Sequence, residues 1–234
     1  MGKSEGKLVK SDHVKKVVQF LGVAFDDYIG ARVLLNAGLL TQGAVLASTA
    51  IEKYFKAIMA SRGMESHGHL KTAHWNAVRG INKSLYDSIN PAFLQLCKKS
   101  YDLRYTDQLA VGYNIVIAQR EFLAELDGAV ALIEPSFVLN DGERETKYQV
   151  LNRTRDARLI ANNYVLNGDV KEAFIYSHQQ LVQEIRQLPT GLMEAGYTTV
   201  RHPSDPSMMR VGLAQDPANP ASFRFSHETN APRT

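Results

Sequence analysis

Apolar residues recur along the first part of the chain with helical spacing. Between residues 13 and 37 they fall at Val14, Val17, Val18, Leu21, Phe25, Tyr28, Ile29, Val33 and Leu35, three or four positions apart for the most part, which predicts one long helix. Ser11 and Asp12 precede it as cap residues, and Asn36 with Gly38 supplies a stop. A second run begins at Thr41 or Gln42 and places Ala47, Ala50, Ile51, Tyr54, Phe55, Ile58 and Met59 on one face before Gly63 ends it. So short a connection forces the two helices to lie antiparallel, and their long apolar faces then require further helices to cover them.

The pattern continues through a helix at 70–84 and another at 92–100, where Pro91 suits a first helical turn. After the loop "YDLRYTDQLA" the segment 112–133 again reads as helix, stopped by Pro135. Two further helices are expected at 144–163 and 170–187, joined by "NGD", in which Asn167 and Gly168 suit left-handed turn positions and Asp169 the next cap. From Pro189 the chain turns rich in Pro, Ser, Asn and Asp. No alternation typical of strands persists for more than a few residues. The expected class is therefore all-α: an antiparallel helical bundle over 1–135, a helical hairpin extension over 136–188, and a flexible or partner-ordered tail over 189–234.

Charge changes this picture little. The 27 basic residues against 24 acidic ones leave a formal charge of +3, too small an excess to mark a nucleic-acid binder without local clusters. The single cysteine, Cys97, excludes an intrachain disulfide and fits a core position. "MGKSEGKLVKSDH" has no stretch like that of a signal peptide, and no window approaches the roughly 18 apolar residues of a membrane span. A cytoplasmic protein without membrane partners is expected. Gly-rich phosphate loops, G-x-S-x-G elbows and paired catalytic carboxylates do not occur, and no cofactor is expected.

Four segments in order, "ARVLLNAG", "AVLASTAIEKYFKAIMASRG", "HGHL" and "YDLRYTD", together resemble the HEPN domain, which shows an A-R-x-L-L stretch, an E-K-x-x-K-A helix and an R-Y-P-D-like turn. The resemblance covers the first 135 residues and implies an all-α bundle that forms a homodimer. Some family members are metal-independent ribonucleases with an Arg-x4-6-His motif supported by an E-x-x-x-K pair. Others bind nucleotides or partner proteins, often in toxin–antitoxin or defence settings. Glu52 and Lys56 match the E-x-x-x-K pair. From Arg104, however, the positions where the histidine should stand hold Leu109, Ala110 and Val111, and an aliphatic side chain cannot take a proton from a 2'-hydroxyl. The resemblance thus implies a nucleotide-, RNA- or partner-binding module without the nuclease histidine. Two alternatives stand beside it: a divergent ribonuclease using Glu52, Arg104 and a histidine such as His67, and a structural or toxin-neutralising subunit whose tail folds onto a partner protein.

Individual residues carry competing readings. Glu52 four residues before Lys56 is also the arrangement of an exposed helical ion pair, contributing about 0.3–0.5 kcal/mol with no ligand. Arg104, Tyr105 and Asp107, with Lys56, are the candidate nucleotide or RNA contacts: Arg for phosphate, Tyr for stacking, Asp for capping a helix start. Arg62 with His67 or His69 repeats the nuclease spacing in a loop where the family does not place it. His67, His69 and His74 lack the cysteine or carboxylates that would complete a metal set, so no metal site is expected. Trp75 reads as a core or interface anchor. Arg144, Lys147, Arg155 and Arg158, with Arg153 nearby, read as one solvated basic stripe. Tyr164, Gly168 and Ala173 have the offsets of a single tetratricopeptide-like hairpin, which must pack on something else.

Overall fold

The computed structural model describes residues 11–65, 68, 72–139, 144–200, 215–216 and 219–223. Its frame is the antiparallel pair α1 (Ser11–Asn36) and α2 (Leu40–Ser61). Gly38 turns the chain between them at φ 80°, and Leu39 N–H closes the end of α1 on the Leu34 carbonyl at 2.9 Å. The helices approach closely where each presents a glycine. A Cβ on Gly43 would lie 2.7 Å from Leu35 Cγ, and one on Gly30 would lie 2.7 Å from Leu46 Cδ2. Alanine at Gly43 would also press on the Leu35 backbone nitrogen, 3.1 Å away, and strain the pair, whereas at Gly30 a shift of the Leu46 side chain relieves the contact.

Three shorter helices follow, α3 (Thr72–Ile81), α4 (Lys83–Ser88) and α5 (Pro91–Ser100): α3 and α5 pack on α2, and α4 packs on α3. Asn82 and Asn90 cap α4 and α5, accepting from Leu85 N–H and Ala92 N–H, and Pro91 occupies the first turn of α5 as expected. Two 3₁₀ turns, Tyr101–Arg104 and Thr106–Gln108, lead into a strand. The central helix α6 (Gln119–Ile133) then runs through the core, where Phe122 meets Phe93 edge-on at 5.4 Å among Tyr54, Phe55 and Leu96.

The fold is mostly α, not all-α. A three-stranded antiparallel sheet of order β1-β2-β3 joins β1 (Asn114–Ala118), β2 (Gln180–Gln187) and β3 (Met193–Val200), with Ile115 opposite Ile185 and Glu184 opposite Gly196. The helix expected from residue 112 therefore begins only at 119. Its first part, Ile115-Val116-Ile117, is buried on both faces of the sheet, and such a strand reads as an unbroken apolar run. The helix expected at 170–187 divides in the same way into α10 (Lys171–Tyr176) and β2. The signal for the hairpin is "LPTGL": Gly191 stands at φ 80°, Gly191 N–H reaches the Leu188 carbonyl at 3.0 Å, and Leu188 N–H reaches that of Leu192 at 2.8 Å.

The expected hairpin extension is likewise corrected. Residues 144–163 form no continuous helix but α7 (Lys147–Arg153) and α8 (Ala157–Ile160), followed by α9 (Tyr164–Asn167). Arg155 and Asn162 both take φ 54°, which no helix interior accommodates. Thr146, Asp156 and Asn163 then cap the three new starts. Gly168 is left-handed as expected, whereas the residue preceding α10 is Val170, with no side-chain cap from Asp169. The tail contains β3 and a small hairpin of β4 (Gln215–Asp216) and β5 (Asn219–Phe223) that lies beside β1. The remainder of the tail lies outside the described residues.

Polar groups also lie in the core. Arg32 and Asp127 form a fully buried ion pair between α1 and α6. Tyr28 donates to Asp127 Oδ1 at 2.8 Å, and Arg32 donates further to the carbonyls of Arg158 and Ala161 at the end of α8. A second cluster joins Tyr54, which donates to Glu134 Oε1 at 2.6 Å, and Thr146, which donates to Glu134 Oε2 at 2.9 Å.

Candidate functional site

Glu52 and Lys56 stand one turn apart on α2 and pair at 2.7 Å, but not as an exposed pair: their side chains are 7% and 15% exposed. The reading as a solvated helical ion pair is thereby corrected. Taking a carboxylate this far from water is costly, and the Lys56 ammonium that goes in with it offsets part of that cost. The 3₁₀ turn Tyr101–Arg104 packs on α2, close enough for the Glu52 carboxylate to act on Tyr101. Of the residues picked out in sequence, Glu52 is thus linked to the turn that carries Arg104, whereas Lys56 lines the groove between α1 and α2.

Within that turn Arg104 lies against two aromatic rings. Its guanidinium carbon is 5.0 Å from the Tyr101 ring centre and 5.6 Å from that of Tyr105, and Nη1 donates to the Tyr101 hydroxyl at 3.1 Å. The rings stand 6.4 Å apart at 59°. Burial raises the Tyr101 phenol pKa, Arg104 opposes the rise, and Tyr105 and the Glu52 carboxylate add to it. Glu52 therefore acts on the turn through Tyr101. Tyr105 is 44% exposed, Arg104 is exposed, and among the described residues no carboxylate lies within ion-pair distance of Arg104. Sequence reading missed Tyr101, although its place three residues before Arg104, where a 3₁₀ turn stacks i on i+3, was a usable signal.

Asp107 has no cap to make. It sits exposed on the three-residue turn Thr106–Gln108, and the long helix it was expected to start begins at Gln119. Leu109 is buried and Val111 exposed, so neither aliphatic position hides an alternative base. His67 and His69 lie outside the described residues. His74 is buried, and among the described residues no group of three His, Cys, Asp or Glu could hold a metal ion. Trp75 is a core residue, with Lys98 Nζ 5.8 Å over its ring.

Of two other basic features, one is neutralised internally and the other only in part, since Arg144 and Arg155 form no ion pair among the described residues. A groove of about 360 Å³ between α1 and α2 is lined by Lys16, Phe20, Lys53, Lys56, Met64 and Glu65 among others. Its three ammonium groups are held by Glu65 at 2.6 Å, Asp27 at 2.5 Å and Glu52 at 2.7 Å. The expected basic stripe is split between α7 and α8. There Lys147 pairs with Asp26, Arg153 with Glu145 and Arg158 with Asp156. The one basic group set on an open aromatic surface without an acidic partner among the described residues is that of Arg104.

The arrangement is a small, mostly helical fold with a surface platform made of one guanidinium and two phenol rings. No family model, no curated protein and no solved structure matches the chain. No helix among the described residues is long and apolar enough to cross a membrane.

Proposed function

We propose that the chain is a nucleotide- or RNA-binding module whose contact surface is Tyr101, Arg104 and Tyr105, with Glu52 and Lys56 as positioning residues behind it. The observation that carries this reading is the exposed Arg104 guanidinium lying on two tyrosine rings. A planar cation among aromatic faces offers phosphate a bidentate donor and an unpaired base a stacking surface, which is how single-stranded nucleic acid is bound without sequence preference. The HEPN resemblance of the first 135 residues supports the same class. With no imidazole at the spacings from Arg104, the module binds and does not cut.

The test is fluorescence anisotropy with labelled single-stranded RNA and with a labelled nucleoside triphosphate, in EDTA, at two salt concentrations. Arg104→Ala and Tyr105→Ala should each weaken binding by about 5- to 140-fold, from about 1–3 kcal/mol per stacking contact, and the salt slope should fall for Arg104→Ala alone. Equal affinity of wild type and Arg104→Ala overturns the proposal. Cleavage of the RNA, lost in Glu52→Ala and Arg104→Ala, would replace it with the ribonuclease reading.

A further inference from the structure

We infer that β3 is the pairing edge of a homodimer, joining two copies of the chain into one continuous six-stranded sheet. This is independent of the ligand platform and rests on the sheet alone.

The sheet has one edge covered within the molecule and one that no strand pairs among the described residues. β1 is buried, with β5 beside it. β3 is different, because every residue from Met193 to Thr199 is exposed, on both faces. The alternation of hydrogen bonds identifies which backbone groups stay open. Gln187 exchanges bonds with β1, its N–H going to the Tyr113 carbonyl at 2.7 Å and its own carbonyl accepting from Gly112 N–H at 3.0 Å, while Leu188 N–H is paired with the carbonyl of Leu192. With the register Gln187 opposite Met193 and Glu184 opposite Gly196, the even-numbered residues of β3 turn their N–H and C=O toward β2. Met193, Ala195, Tyr197 and Thr199 turn theirs outward.

Those four residues also share a face with Leu181, Gln183 and Ile185, and Ile185 belongs to the helical core. The apolar face of the sheet thus runs on past its helical cover, exposing Met193 (47%) and Tyr197 (59%), with Leu192 (66%) at the turn. The strand carries none of the usual protections of an edge, having no lysine, proline or bulge.

A second copy fits this edge better than an arbitrary strand because β3 is complementary to itself. Placing a twofold axis at Gly196 sets Ala195 opposite Tyr197 and Met193 opposite Thr199, so that all four outward residues find partners and about eight backbone hydrogen bonds form. Gly196 meets its own copy where strands come closest, and Tyr197 of each chain covers the small residue opposite. Glu194, the sole charge in the strand, stands opposite Thr198. The two Glu194 carboxylates are then offset by four residues, about 13 Å along the strand, beyond one Debye length in physiological salt. A contact made by one strand pair belongs to the low end of specific interfaces, so association is expected to be weak and concentration-dependent.

The test is sedimentation velocity of the full chain from about 1 to 200 μM, the weak end of the affinities that interfaces span, for wild type, Ala195→Pro and Gly196→Cys. Wild type should shift from the 26.0 kDa monomer to twice that mass. Ala195→Pro removes one outward N–H and no β2–β3 bond, and should stay monomeric with unchanged thermal unfolding. Gly196→Cys should form a disulfide-linked dimer on mild oxidation, since the glycines face each other at the axis and no neighbouring atom lies within 4 Å of an added Cβ. Buried Cys97 does not compete. A wild-type monomer throughout, a dimer that survives Ala195→Pro, or a Gly196→Cys variant that fails to cross-link overturns the inference. If Ala195→Pro does not fold, the cross-link alone decides.

Discussion

Replacing Arg32 by methionine should be among the most damaging single changes available in this chain, and the structure gives the size. Arg32 and Asp127 are both 0% exposed. Burial alone would lower the guanidinium pKa, but Asp127 and Tyr28 outweigh it and raise the value. Burial raises the Asp127 pKa against the pull of Arg32 and Tyr28. The two directions favour opposite states of the pair. Ionisation prevails near neutrality, because a protonated Asp127 would leave a buried guanidinium with no counter-charge. Arg32→Met keeps most of the side-chain volume, strands the Asp127 carboxylate on the Tyr28 hydroxyl alone, and releases the Arg158 and Ala161 carbonyls. Breaking a buried pair from one side costs about 3–5 kcal/mol. At about 2–4 °C per kcal/mol for a chain of this length, Tm should fall by about 6–20 °C. Urea unfolding followed by far-UV circular dichroism measures the loss. The double variant Arg32→Met/Asp127→Leu, which removes both charges, should recover about 2 kcal/mol relative to Arg32→Met. A loss under about 1 kcal/mol in Arg32→Met, or a double variant whose loss equals the sum of the singles, refutes the reasoning.

Lys99 supplies a pH signature. Burial pushes its ammonium pKa down to about 8, partly opposed by Asp102. Between pH 8 and 10.5 the unfolded chain therefore binds more protons than the folded one, and stability contributed by this site rises with pH, by up to about 3 kcal/mol. Lys99→Met should abolish that rise in a denaturant series across the window, and an unchanged slope would show that Lys99 titrates normally. Thr146 closes the capping box of α7 with Gln149 and donates to buried Glu134 at 2.9 Å. Thr146→Ala should cost about 2–3 kcal/mol, as a lost cap plus a stranded acceptor; calorimetry showing less than a 2 °C drop in Tm would contradict the network, given about 2–4 °C per kcal/mol.

The two long helices were legible because their periodicity is repeated over many turns and each ends on a glycine that the backbone requires, Gly38 and Gly63, both left-handed. β1 was not, since Ile115, Val116 and Ile117 are all covered and show no alternation. β2 does alternate in part. Its burial ran against a helical reading of Leu181, Val182 and Ile185, and only the "LPTGL" turn favours the strand. The region after residue 144 has helix-forming residues throughout, so composition could not place the breaks. Arg155 and Asn162 at positive φ place them, a choice made by tertiary packing against α1 and not by local propensity. In the candidate site, Glu52, Lys56, Arg104 and Tyr105 were singled out from sequence, but the burial of Glu52 and Lys56 was not foreseen: an E-x-x-x-K spacing is the same whether the helix face looks at water or at protein.

Burial also separates the two arginines on which the family-like segments centre. Arg32, in "ARVLLNAG", spends its donors on Asp127 and two backbone carbonyls in the core. With all three guanidinium nitrogens engaged and the side chain fully buried, Arg32 presents nothing to a ligand, so this segment specifies the packing of α1 on α6 and α8. Arg104, in "YDLRYTD", gives one donor to Tyr101 and keeps the rest of its guanidinium at the surface. The first arginine can be replaced without touching a ligand and the second without unfolding the core. Their variants should therefore fail in different assays, Arg32→Met in stability and Arg104→Ala in binding. A resemblance of motifs cannot distinguish these environments, because it weighs both arginines alike; of the two, only Arg104 is exposed.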